Sequence, residues 1–79
     1  MKLSILLRPR NNNNVKLFEA LKNTLKKTEK KDLKSTIQNV LEEYSLINNS
    51  GYFFHVNKFN IVVLDSDSNE IIIFGTNEE

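Results

Sequence analysis

The strongest constraint on this chain lies near its C-terminal end. Residues 59–64 (FNIVVL) and 70–74 (EIIIF) are two runs rich in β-branched residues, and they flank the turn-prone segment 65–69 (DSDSN). That arrangement predicts a β-hairpin. Neither run alternates apolar with polar as a strand covered on one side does, because 61–64 and 71–74 are continuously apolar. One register leaves Val62 and Leu64 on the face away from any helical cover, and the other leaves Ile61 and Val63, in each case with two residues of the last strand. The contact set expected on that second face is Val62, Leu64, Ile72 and Phe74, since an exposed apolar patch of this kind marks an interface.

The upstream segments supply the cover. Residues 3–7 (LSILL) predict a first strand, with Leu3, Ile5 and Leu7 on one face and Leu6 on the other. Pro9 ends it, having no amide hydrogen for a ladder. The run Asn11 to Asn14 reads as a loop in which Asn13 or Asn14 caps a helix over 15–27, with Leu17, Phe18, Leu21 and Leu25 at helical spacing. Nothing apolar occurs from Lys26 to Asp32, so a break is expected there rather than one long helix, with Thr28 capping a second helix. Leu33, Ile37, Val40, Leu41, Tyr44 and Ile47 form the apolar stripe of that second helix, closed by residues 48–51 (NNSG). Residues 52–56 (YFFHV) read as a strand, with Asn57-Lys58 as a two-residue turn into the hairpin. Gly75 and the tail beyond it are expected to fray.

The order is therefore β-α-α-β-β(-β): a single small soluble α+β domain over residues 1–79, with two helices packed on a small, mostly antiparallel sheet. At this size a chain buries only about 60% of its unfolded surface. The absence of cysteine leaves packing or self-association as the stabilising resource. The apolar stretch at the N-terminus stops at Leu7, too short for a signal sequence, and a cytoplasmic location is expected. No stretch approaches the ~20 apolar residues of a membrane span, so no membrane partner is expected.

Charge is divided unevenly. Residues 1–40 hold ten Lys/Arg against three acids, and residues 41–79 hold one Lys against seven acids. Such asymmetry points to a directed contact with a partner or between the two halves of the fold. Arg8, Arg10, Lys26, Lys27, Lys30 and Lys31 form the candidate set for nucleic-acid phosphates. No aromatic is interleaved with them for base stacking, and no helix-turn-helix signature is present.

Catalytic and metal chemistry find little support. Asp65-x-Asp67-x-Asn69 matches the start of a calcium loop, but Glu70 stands where its glycine belongs and Thr76 where its bidentate glutamate belongs. His55, the sole histidine, has no local nucleophile or orienting acid. With only Gly51 and Gly75, no glycine-rich phosphate loop is possible. No cofactor, metal or catalytic residue is assigned. The expectation is a non-enzymatic interaction module that binds a protein partner, or itself, through the second face or an edge of the hairpin sheet. Size and composition associate such chains with inhibitors and accessory factors of phage or mobile-element type. Nucleic-acid binding through the lysine-rich half is the competing expectation.

Overall fold

A computed structural model describes residues 1–76. Its elements are β1 (Ser4–Leu7), α1 (Asn12–Leu25), a short 3-10 turn (Lys30–Asp32), α2 (Leu33–Asn48), β2 (Tyr52–Val56), β3 (Asn60–Asp65) and β4 (Glu70–Gly75). The α+β architecture holds, with one four-stranded antiparallel sheet in the order β1-β4-β3-β2. The first strand joins beside the last. The two helices therefore connect one edge of the sheet to the other.

Helix α1 starts three residues earlier than its apolar spacing suggests. The cap is Asn11, in an extended conformation, and its side chain accepts from the Asn13 amide. Asn13 and Asn14 sit inside the first turn. In a run of four identical residues, propensity cannot choose among them. The break after α1 is present. Its polar turn is closed by the N-terminal ammonium, which donates to the Leu25 and Lys26 carbonyls. Thr28 does not cap α2; its hydroxyl donates back to the Thr24 carbonyl. At the far end of α2, Asn49 takes the left-handed conformation, with φ 51° and ψ 49°. Ile47 falls outside the buried stripe and is exposed.

The β2–β3 hairpin turns one residue later than expected, with the Asn57 amide donating to the Asn60 carbonyl and Lys58-Phe59 at the tip. Gly75 belongs to β4, opposite Ser4 and Asn60, and the Thr76 amide donates to the Phe59 carbonyl. The rest of the tail expected to fray lies outside the described residues.

The core lies between the helices and one sheet face. Leu17, Phe18, Leu21 and Leu25 of α1 and Leu33, Ile37 and Leu41 of α2 meet Ile61, Val63, Ile72 and Phe74. Phe18 stacks on Phe74 with ring centroids 5.5 Å apart. Cross-strand register accounts for the composition of this face. Val56, Ile61, Phe74 and Ile5 form one row, and Phe54, Val63 and Ile72 the next.

That register corrects two residues of the expected contact set. Ile72 and Phe74 are fully buried beneath the helices and contribute nothing to the second face. A bulge where Leu64 pairs with Glu70 shifts β4 by one residue, so Ile73, opposite Val62, points outward instead. A second bulge, between Ile5 and Leu7, brings Leu7 opposite Ile73 on the outer face, not onto the face of Ile5.

Candidate interaction surface

The sheet face away from the helices is built from three cross-strand rows. Ser4, Gly75 and Asn60 form the first; Leu7, Ile73, Val62 and His55 the second; Glu70, Leu64 and Phe53 the third. Leu6, the extra residue of the β1 bulge, lies over Gly75, whose missing Cβ leaves room for it. Leu6 is 61% and Phe53 56% exposed. Val62 is only 8% exposed, yet it has no place in the core cluster. The centre of this face is thus apolar, and Ser4, Asn60, His55 and Glu70 rim it. Val62 and Leu64 stand where the sequence places them, and Leu6, Leu7, Phe53 and Ile73 join them. Nothing in the sequence signals Ile73, since its run is apolar at every position.

The basic set does not form one patch. Arg8 and Arg10 precede α1 and Lys26, Lys27, Lys30 and Lys31 come after it, which separates them by about 20 Å of helix. The Arg8 guanidinium lies 5.7 Å from the Phe18 ring centre. Arg8 and Arg10 line a cleft together with Asp65 and Glu70, whose carboxylates repel phosphate. The four lysines surround the α1–α2 turn, where Lys31 pairs with Glu29 at 3.6 Å.

The Asp65 loop is a hydrogen-bonded turn. One Asp65 carboxylate oxygen accepts from the Asp67 and Asn69 amides, both at 2.9 Å, and the other from the Asn69 side chain at 3.3 Å. The Asn69 amide, the Asn69 side chain and the Asp67 amide hold its pKa below the ordinary 3.8, against a smaller opposing effect of burial. A depressed carboxylate pKa stabilises the fold above the unfolded value, and that contribution is lost as pH falls through the folded one. Asp65→Asn should therefore flatten the acid limb of the stability curve below about pH 4. Melting temperatures between pH 2 and 5 check this, and an unchanged limb would refute it.

Beside this loop, the Tyr52 hydroxyl donates to the Asn14 side chain at 2.7 Å and accepts from Asn48 at 2.9 Å. The network ties the start of β2 to α1 and α2. Between α2 and β2 runs an open groove of about 510 Å3, lined by Leu41, Glu42, Leu46, Tyr52 and Phe53 among others. Among the described residues no group of acids and histidine is placed to hold a metal ion, and no helix is long and apolar enough to cross a membrane. No protein-family model, curated protein or solved structure matches the chain.

Proposed function

We propose that this chain is a non-enzymatic interaction module that docks an apolar surface of a protein partner on its open sheet face. The observation that supports the reading is the apolar centre formed by Leu6, Leu7, Phe53, Val62, Leu64 and Ile73, with no described element over it. Burying such surface contributes roughly 25 cal/mol per Å2 before the costs of association. A flat sheet face with a polar rim suits a macromolecular surface better than a small ligand, which needs concavity.

The test compares capture from native lysate by wild type with capture by Leu6→Asp and Leu64→Asp, each confirmed folded by circular dichroism. A protein retained by wild type and lost from both variants supports the reading. Equal retention by all three overturns it. Retention of oligonucleotide that disappears when Lys26, Lys27, Lys30 and Lys31 are changed to Glu would move the function to the α1–α2 turn.

A further inference from the structure

The two edges of the sheet are protected very differently. β1 is four residues long, bulged, and followed by Arg8, Pro9 and Arg10, all of which hinder strand addition. β2 is the other edge. Tyr52–Val56 holds no charge, no proline and no bulge.

The hydrogen-bond pattern shows which groups β2 leaves free. The Asn57 amide bonds the Asn60 carbonyl, so in an antiparallel ladder the next bonded pairs are His55 with Val62 and Phe53 with Leu64. The amides and carbonyls of Tyr52, Phe54 and Val56 therefore point away from β3, along an edge that no other described strand pairs. The Thr76–Phe59 bond across β3 and β4 fixes the same alternation independently.

Charge then selects what can pair there. At the end of β2 that leads into the hairpin tip stands Lys58, the one cation of residues 41–79. Beside it Phe59 is 58% exposed, with the Lys58 ammonium 5.2 Å from its ring centre. At the other end, Tyr52 pairs with Asp65, Glu42 lines the groove, and the C-terminus of α2 presents the negative end of its dipole. The strand thus carries a cation and an exposed aromatic at one end, and carboxylates and an apolar groove at the other.

We infer that two copies of this chain pair through β2, antiparallel about a twofold axis at Phe54, forming a continuous eight-stranded sheet. Tyr52 of each copy pairs with Val56 of the other. Each hairpin tip then reaches the mouth of the opposing groove, setting Lys58 towards Glu42 and Asp65. Parallel pairing would set the two Lys58 residues together. The twofold contact is isologous and closes, so it ends at a dimer. Its use rests on the open-face reading: one copy's face spans four strands, about 19 by 17 Å, or roughly 300 Å2. A stable interface takes about 800 Å2 per partner. The dimer brings two such faces side by side, roughly 600 Å2, which reaches the lower end of the standard range.

Hydrogen exchange and sedimentation of the full chain, from micromolar to millimolar concentration, test the pairing. The Phe54 and Val56 amides should gain at least about tenfold protection as mass doubles, while Phe53 and His55 are protected throughout. Lys58→Glu should weaken the dimer about tenfold or more, and Lys58→Glu with Glu42→Lys should restore it. Val56→Pro removes an outward amide and should leave a folded monomer. A wild type that stays monomeric at millimolar concentration, with Phe54 and Val56 unprotected, overturns the inference. So does a dimer that survives Val56→Pro and is dispersed by Leu6→Asp, since that dimer would pack face to face. Loss of partner capture alone leaves these readouts unmoved.

Discussion

Phe74→Ala should nearly unfold the protein. Phe74 is fully buried, stacks on Phe18 with an interplanar angle of 14°, and shares a row with Ile61 at the centre of the sheet. Truncating a buried Phe costs about 3–5 kcal/mol, from lost transfer energy and the cavity left behind. A domain of this length has a total stability of roughly 4–12 kcal/mol. The loss therefore takes a large share of it, and the melting temperature should fall by about 15 °C or more. Phe53→Ala, two strands away and on the opposite face, is the control. Its side chain is half in solvent, so its removal should cost below about 1 kcal/mol. Urea titrations of the two variants decide the matter. Similar losses for both would overturn the assignment of Phe74 to the buried face and Phe53 to the open one, and a larger loss for Phe53→Ala would mean that the faces are inverted.

That assignment is what the sequence could not supply. The helices were legible because Leu17, Phe18, Leu21 and Leu25, and then Leu33, Ile37 and Leu41, repeat at helical spacing and are buried as that spacing requires. The hairpin strands were legible from their β-branched composition. A strand apolar on both faces, however, gives the same pattern under a one-residue slip. Which of Ile72 and Ile73 faces out is therefore set by the bulge at Leu64 and Glu70, a product of how the Asp65 loop closes. Leu7 changed faces for the same reason. The free edge of β2 was hidden more deeply, because it depends on strand order, and that order requires β1 to pair with β4 across 70 residues of chain. The acidic loop had been legible only as a turn, and its carboxylate is engaged by the backbone amides of that turn.

The register of β1, and with it one end of the open face, depends on Gly75. Its φ is not in the left-handed region, so a side chain there meets no backbone penalty and the effect is purely steric. A Cβ at Gly75 would run into the Ser4 hydroxyl and come within 3.5 Å of a Leu6 methyl. Two effects compete on substitution. Replacing Gly restricts the unfolded chain and stabilises by about 0.4–1 kcal/mol, whereas overpacking costs about 1–3 kcal/mol. For Gly75→Ala, rotation of the small Ser4 hydroxyl relieves much of the clash, and the net change should be within about 1 kcal/mol. For Gly75→Val the added branch must also displace Leu6, so overpacking wins and β1 is levered from β4. Stability should fall by about 2 kcal/mol, with hydrogen exchange accelerated at β1 amides and nearly unchanged in the β2–β3 hairpin. Ser4→Gly should restore the Ala variant fully and the Val variant in part, because it removes the first obstacle and leaves Leu6 in place. A Val variant as stable as wild type, or one that Ser4→Gly leaves unimproved, would show that β1 does not lie as closely over Gly75 as the open face requires.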